Sequence, residues 1–169
     1  IDDIRSIVNT SSGNTGWSIS EFLYRMGHDV ICIAGNTSST PTFKLPDVRH
    51  RTSPEEMLNE AKQVSKEEVP DVWIFSAAVL DYVPEVVSGK IPSGDANISI
   101  SLVPTKKQIP EILSSIEGSV SIGFKLESNI GHSELIDKAK LQMDKNSLYA
   151  VIANPLQALA DPDTPRCWL

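Results

Sequence analysis

The chain alternates between segments with the apolar spacing of a helix and short, continuous apolar runs. Four such runs, rich in β-branched residues, have the pattern of strands buried on both faces; they cover residues 29–35, 71–79, 119–124 and 149–154. Helical spacing is found at residues 17–26, 53–64, 109–116 and 133–145. Because each helical or loop crossover returns the chain to the same end of a sheet, this order predicts four adjacent parallel strands.

The pattern therefore predicts an α/β protein with a Rossmann-like, doubly wound, mainly parallel sheet in three layers. Residues 98–102 alternate apolar and polar side chains, which predicts an additional half-exposed strand. A turn at residues 161–164 predicts a short C-terminal β extension after it. A chain of 169 residues with 40% hydrophobic residues is long enough for a full core, and we expect one domain over residues 1–169.

A polar loop with two glycines, residues 9–16 (NTSSGNTG), leads directly into the first predicted helix. Backbone N–H groups at the start of a helix can bind an anion, and the helix dipole favours the same ligand. Gly13 and Gly16 would let a ligand approach the backbone closely. The loop equally fits an ordinary helix start that Ser11 or Ser12 caps, so both interpretations stay open at this point.

Charge and rare residues narrow the range of functions. The net charge of −7 argues against broad nucleic-acid binding, which needs a basic face. Cys32 and Cys167 form neither a CxxC motif nor a metal-ligand spacing, and the three histidines are scattered, so we expect no zinc site. No run reaches the ~18 apolar residues of a membrane span, and no leader pattern begins the chain. We therefore expect a soluble, cytoplasmic protein.

Candidate ligand-binding residues follow the predicted strands, where ligands of doubly wound sheets bind. Asp81 could hold a magnesium ion or a ribose hydroxyl, or could be a plain turn residue. Residues 88–94 (SGKIPSG) surround Lys90 with glycine and proline, which suits a movable loop that carries a cation to a phosphate, although most loop lysines are only solvated. Phe124 could stack on a base or pack in the core.

Five motifs in this order resemble phosphopantothenoylcysteine synthetase, the ligase of coenzyme A biosynthesis that is often fused to a flavin-dependent decarboxylase. They are NTSSG at residues 9–13, SAAVLDY at 76–82, GKIP at 89–92, GFKLE at 123–127 and VIAN at 151–154. The resemblance covers nearly the whole chain. It implies a ligase that joins 4′-phosphopantothenate to cysteine through an acyl-nucleotidylate, with Mg²⁺ and with CTP favoured over ATP as co-substrate.

Matched position by position, the resemblance implies a role for particular residues. Asn9 would hold the acyl-nucleotidylate for attack by the cysteine amine, and Lys90 would stabilise charge as pyrophosphate leaves. Phosphopantothenate would contact Arg5, Ser11, Ser12, Gly13 and Gly16. The nucleotide would contact Ser76, Ala77, Ala78, Asp81, Phe124, Lys125, Leu126, Glu127 and Lys145. Mg²⁺ would be carried mainly by the nucleotide phosphates, with Asp81 as a candidate ligand.

The resemblance also implies partners and departures. A homodimer is expected, with the segment after Asn154 in the contact, because Trp168 and Leu169 at the end of the chain look exposed. A separate phosphopantothenoylcysteine decarboxylase is a candidate partner. The first strand of the family fold and its Gly-Gly-Thr turn are missing from this chain. Three positions depart from the family pattern and bear on nucleotide choice and phosphate binding: Asn14, Leu80 and Pro155.

Two other functions stay open. An NAD(P)-binding, short-chain dehydrogenase-like oxidoreductase would also use a glycine loop on a parallel sheet, but the Gly-x-Gly-x-x-Gly pattern is incomplete and no tyrosine is followed by a lysine four residues later. A non-catalytic, nucleotide-binding regulatory subunit would keep the fold without turnover. The joint presence of Asn9, Asp81 and Lys90 argues against it.

Overall fold

The computed structural model describes residues 1–92, 94, 97–159 and 167–169; the turn predicted at residues 161–164 lies outside these residues. The helices are α1 (Asn14–Arg25), α2 (Pro54–Glu67), α3 (Gln108–Leu113) and α4 (His132–Asn146), followed by a 3₁₀ helix at Leu156–Leu159. The strands are β1 (Ile31–Ala34), β2 (Asp47–His50), β3 (Val72–Phe75), β4 (Tyr82–Pro84), β5 (Leu102–Pro104), β6 (Val120–Glu127) and β7 (Ala150–Pro155).

The chain forms two compact units. Unit 1 comprises Ile1–Ala61 and Ala77–Gln108, and unit 2 comprises Lys62–Ser76 and Ile109–Leu169. The prediction of one domain over residues 1–169 stays a prediction. None of the helices in the described part of the chain is long and apolar enough to cross a membrane.

Unit 1 contains two pairs of strands. β1 and β2 are parallel, with Ile31 opposite Asp47, and β4 and β5 are antiparallel, with Val83 opposite Val103. One buried cluster packs α1 against β1 and the loop that follows it; its members are Trp17, Ala34 and Leu45, with Cys32, Phe43 and Val48 against them. The start of α1 is thereby fixed on the sheet, because Trp17 lies in its first turn.

Unit 2 contains a three-stranded parallel sheet in the order β3-β6-β7. α4 packs on β6 and β7 and buries Leu135, Ala139, Leu148, Val151 and Ala153 in one cluster. An isolated antiparallel bridge joins Ala153 to Trp168 beside β7. The α/β class and the mainly parallel pairing of the strands are confirmed.

Several predicted boundaries are wrong. The sheet of unit 2 contains three of the four predicted strands, and β1 pairs instead with β2, a strand that the apolar pattern missed. Residues 76–79 are not strand, so β3 ends at Phe75. Residues 98–101 are not strand either; β5 begins at Leu102, where it pairs with β4. α1 begins at Asn14, three residues earlier than predicted.

α2 begins with a capping box, and its start agrees with the helical spacing predicted from residue 53. The Ser53 hydroxyl oxygen accepts the N–H of Glu56 at 3.2 Å, and the Glu56 carboxylate accepts the N–H of Ser53 at 3.1 Å. Two backbone donors that the helix itself cannot satisfy are thereby paired.

Candidate functional site

The polar loop ends in a helix start that has free N–H groups. Gly13 is the residue before α1, and its left-handed backbone (φ 81°) turns the chain into the helix. The N–H of Asn14 donates to the Ser12 hydroxyl at 3.3 Å, whereas the N–H groups of Thr15 and Gly16 have no acceptor among the described residues. Gly16, predicted in the loop, lies in the first turn of α1. The first turn carries no acidic side chain, so its positive end is open to an anion.

Close packing also requires glycine at position 13. A Cβ built there would lie 2.5 Å from Cγ2 of Thr37, far inside normal contact. Trp17 binds the same part of the loop after β1, because its indole N–H donates to the carbonyl oxygen of Ser39 at 3.0 Å. The loop after β1 therefore lies directly on the helix start, and Gly13 is needed for this contact whether or not a ligand binds.

Asn9 contacts the segment that follows β3. Its side-chain N–H donates to the carbonyl oxygen of Ala78 at 2.8 Å. Both Asn9 and its neighbours Ala77 and Ala78 are exposed, and Ser11 donates its N–H back to the carbonyl of Asn9 at 2.9 Å. The predicted catalytic asparagine and two predicted nucleotide contacts thus lie together in unit 1, whereas Ser76 belongs to unit 2.

Asp81 is paired with a lysine that the sequence reasoning missed. The Lys107 ammonium donates to Oδ1 of Asp81 at 2.5 Å, and the two side chains are 66% and 64% exposed. Thr105 fixes the geometry, because its hydroxyl donates to the carbonyl of Leu80 at 2.6 Å and its N–H to that of Asp81 at 2.9 Å. An exposed pair of this kind is worth only about 0–1 kcal/mol, so a ligand could separate it. No spacing in the sequence links the two residues; the antiparallel pairing of β4 and β5 does.

These side chains do not build a resident Mg²⁺ site. Asp81 offers a single carboxylate that already binds an ammonium, and the described residues contain no cluster of three or more His, Cys, Asp or Glu side chains that could hold a metal ion. Mg²⁺ commonly binds through one or two carboxylates together with substrate phosphates. The residues therefore fit a metal that arrives with a nucleotide better than one held by the protein.

The loop around Lys90 is held by the beginning of the chain. Arg5, a predicted substrate contact, binds Asp2 through Nε at 3.0 Å and donates from Nη2 to the carbonyl of Ile91 at 2.7 Å. The N–H of Gly89 donates to the Asp3 carboxylate at 2.9 Å. Lys90 itself is exposed, and its ammonium has no partner among the described residues. The backbone of this loop is thus held on both sides of Lys90, which the prediction of a movable loop did not anticipate.

The remaining nucleotide candidates lie in unit 2. Lys125 in β6 binds Glu127 at 2.8 Å, and Lys138 of α4 binds the same carboxylate at 3.4 Å and Glu134 at 3.1 Å. The Lys125 hydrogen bond is the main reason that the pKa of Glu127 lies below its ordinary value. The sequence singled out Lys125 and Glu127 but missed Lys138, which approaches them only because α4 packs on β6.

Phe124 is half-buried in β6, and Leu126 is exposed beyond it. Gly123, just before Phe124, is buried, and a Cβ there would lie 2.8 Å from Cδ1 of Leu148. Close packing within unit 2 therefore requires glycine at position 123. Lys145 is exposed in the last turn of α4, where a cation complements the helix dipole.

Each unit, taken separately, is typical of an α/β protein with parallel strands. Both units pair strands in parallel, and unit 1 adds a helix start with free N–H groups. A model of the DNA/pantothenate metabolism flavoprotein C-terminal domain family matches residues 1–163. The chain belongs to this family.

Two relatives are coenzyme A biosynthesis bifunctional proteins CoaBC. The protein from Methanocaldococcus jannaschii is 33% identical over 156 residues, which are 92% of this chain and 38% of that protein. The protein from Thermococcus kodakarensis is 34% identical over 164 residues, 96% of this chain and 40% of that protein. The chain thus spans about two fifths of the length of these relatives.

A solved structure also has a similar fold. The DNA/pantothenate metabolism flavoprotein from Streptococcus pneumoniae superposes with a TM-score of 0.84 and 28% identity, over 93% of this chain and 77% of that one. This likeness agrees with the family to which the sequence belongs.

Proposed function

We propose that this chain is a phosphopantothenate–cysteine ligase that joins 4′-phosphopantothenate to L-cysteine through an acyl-nucleotidylate in coenzyme A biosynthesis. The observation that carries the proposal is the hydrogen bond from Asn9 to the carbonyl of Ala78. It brings the residue expected to hold the acyl-nucleotidylate against the segment expected to hold the nucleotide. Family membership and the names of the two CoaBC relatives support the same reaction.

The arrangement in unit 1 suits nucleotidyl transfer, which depends on positioning and on neutralising phosphate charge more than on a protein nucleophile. The free N–H groups at the start of α1 would bind the phosphate of phosphopantothenate. Lys90 would stabilise the charge that develops on the leaving pyrophosphate. Lys107 would neutralise nucleotide phosphate once the ligand separates it from Asp81.

Mg²⁺ bound to the nucleotide phosphates would add positive charge at the reacting phosphate. Asn9 would then orient the activated acyl group through its side-chain amide, so that the cysteine amine can attack. CTP is the proposed nucleotide, with ATP as the alternative. A homodimer and a separate decarboxylase that acts on the product stay part of the proposal.

The test is pyrophosphate release by the whole chain. With 4′-phosphopantothenate, L-cysteine, Mg²⁺ and either CTP or ATP, we expect one pyrophosphate per phosphopantothenoylcysteine formed, and faster turnover with CTP. Leaving out phosphopantothenate should abolish release, whereas leaving out cysteine should limit it to about one turnover per site, because the activated acid stays bound. Absence of release with both nucleotides would reject the ligase. Reduction of NAD(P)⁺ in place of pyrophosphate release would favour the oxidoreductase.

A further inference from the structure

Asp2 is a buried carboxylate that no part of the proposed chemistry uses. Its side chain is 0% exposed, although it lies in an otherwise exposed segment. Oδ1 accepts the N–H groups of Ile4 at 3.0 Å and Arg5 at 2.8 Å. Oδ2 accepts Nε of Arg5 at 3.0 Å, Nη2 of Arg5 at 2.5 Å and the N–H of Ile91 at 3.0 Å. Burying a carboxylate is costly unless donors and a positive charge surround it, and here both are present.

Asp2 and Arg5 together bind the backbone of the residue after Lys90. Asp2 accepts the N–H of Ile91, and Nη2 of Arg5 donates to its carbonyl oxygen at 2.7 Å, so both polar groups of that residue are bound. On the other side of Lys90, the N–H of Gly89 donates to the Asp3 carboxylate at 2.9 Å, and the N–H of Asp3 donates to the carbonyl of Gly89 at 3.4 Å. The backbone of Lys90 is therefore fixed between two held neighbours.

The charges of Asp2, Arg5 and Lys90 indicate which of these groups is available to an anion. The positive charge of Arg5 is matched by the carboxylate of Asp2, and this hydrogen bond holds the pKa of the Asp2 carboxyl well below its usual range. Lys90 has no such partner among the described residues, so its ammonium stays available to an anion. Arg5 thus binds the loop backbone, and its contact with substrate, which the family resemblance implied, stays a prediction.

We propose that Asp2, through Arg5 and Ile91, is a positioning residue that sets the place of the Lys90 ammonium during nucleotide transfer. The proposal rests on the proposed function, because that function gives Lys90 its catalytic role. A flexible lysine stabilises a developing charge efficiently only when its backbone is already placed, since small displacements of a catalytic group are costly.

The test combines Asp2→Asn with Lys90→Ala. Asp2→Asn keeps the shape of the side chain but removes its charge, and we expect kcat to fall about tenfold while the KM for nucleotide changes less than about threefold. In a Lys90→Ala background the same substitution should change kcat less than about twofold, because the group that Asp2 positions is gone.

Asp47→Asn is the matched control. Asp47 also binds an arginine twice, through Nε of Arg49 at 3.0 Å and Nη2 at 2.9 Å, but it lies in β2, outside the candidate site. We expect the kcat of Asp47→Asn to stay within about twofold of that of the unchanged protein, because Asp47 binds Arg49 and shares no partner with the loop around Lys90 among the described contacts. Arg5→Lys, which keeps the charge but not the forked geometry, replaces Asp2→Asn if that variant does not fold.

Hydrogen exchange of the Gly89 and Ile91 amides provides a readout that does not need activity. These amides should exchange faster in Asp2→Asn than in Asp47→Asn, because the acceptor of Ile91 is weakened and the loop opens more often. Unchanged exchange, or a loss of kcat that multiplies with that of Lys90→Ala, overturns the positioning role. An unchanged protein without pyrophosphate release overturns the proposed function and the catalytic part of this inference, whereas the exchange rates still decide whether Asp2 holds the loop.

Discussion

The ammonium of Lys90 is available to an anion, while the carboxylate and guanidinium beside its loop bind each other. For Lys90→Ala we expect kcat to fall by about 10²–10³, the effect of removing one group that stabilises a developing charge. The apparent affinity for nucleotide should change only several-fold, because the charge appears mainly in the transition state. Steady-state rates of pyrophosphate release measure both quantities.

Lys44→Ala provides the control for this prediction, because Lys44 is exposed in the same unit but outside the candidate site. A wild-type rate for Lys90→Ala would mean that the loop lysine is only a surface residue. The site assignment would then be wrong.

Asn9 should affect a different step. In Asn9→Asp the donor to the carbonyl of Ala78 is lost, and a carboxylate oxygen faces that carbonyl. We expect activation of phosphopantothenate to continue and the acyl-nucleotidylate to accumulate, since capture by cysteine fails. Mass spectrometry of quenched reactions measures the intermediate. Asn59→Asp, on an exposed position of α2, is the control, and phosphopantothenoylcysteine formation at the normal rate by Asn9→Asp would contradict the assignment.

Substitutions at Gly13 and Gly27 would distinguish the cost of backbone strain from the cost of overpacking. Both have a left-handed backbone, with φ of 81° and 90°, but a Cβ at Gly27 meets nothing within 4 Å, whereas one at Gly13 meets Thr37. We expect Gly27→Ala to lower the free energy of unfolding by about 1 kcal/mol, and Gly13→Ala by about 2–4 kcal/mol, because strain and overpacking add. Urea unfolding measures both. Equal losses would show that the loop after β1 moves away from the added methyl group.

Among the secondary-structure elements, those with strong apolar periodicity were predictable and those held by polar contacts were not. β3, β6 and β7 were recognisable as apolar runs, and helical spacing from residue 53 predicted the start of α2. β2 has the sequence Asp-Val-Arg-His, without an apolar run, so the apolar pattern did not predict it. Its charged side chains bind one another and Glu60 of α2. The early start of α1 was not predicted because a glycine precedes the helix, whereas a serine cap was one of the two interpretations left open.

The candidate site was only partly predictable from the sequence. Motif order identified Asn9 and Ala78, and the structure brings them together. Lys107 and Asp2 were missed because each acts through a contact between segments that are far apart in sequence, 26 residues in one case and 89 in the other. Periodicity does not detect such contacts.

A buried carboxylate also attaches the loop after β1 to α1. Glu21 accepts both the N–H and the hydroxyl of Thr42, and chiefly the backbone hydrogen bond lowers the pKa of Glu21 below its ordinary value. A carboxyl group whose pKa is lower in the folded protein stabilises it above the unfolded pKa, and this contribution disappears as the pH falls through the folded value. The stabilisation should therefore be complete at pH 7 and decline below about pH 4.3, the ordinary glutamate pKa.

Glu21→Gln tests this attachment. We expect a lower free energy of unfolding at pH 7 and a smaller decline towards acid than in the unchanged protein, since the variant has no carboxyl to protonate. Urea unfolding at a series of pH values from 7 downwards measures the difference. Glu85→Gln, at an exposed glutamate of the same unit, should leave the acid limb unchanged. Parallel acid limbs for Glu21→Gln and the unchanged protein would contradict the prediction.

At the scale of the whole molecule, the proposed homodimer is open to a direct test. The side chain of Trp168, which the sequence analysis expected to be exposed, is half-buried against its own chain, with its ring 4.5 Å from that of His132. Leu169 is 91% exposed. We expect a mass of about twice 18.5 kDa by light scattering at micromolar concentration, because the family resemblance implies a homodimer. A mass near 18.5 kDa would contradict the dimer.

The bridge between Ala153 and Trp168 has a consequence for solubility. β7 forms one side of the sheet in unit 2, and the two residues exchange N–H···O bonds of 2.8 and 2.9 Å there. A strand edge with unpaired backbone groups is a template on which further chains can add, and covering it blocks such growth. Shortened versions of the protein that end before Trp168 would uncover Ala153 and should therefore aggregate through edge-to-edge pairing, even where the residues of the candidate site are unchanged.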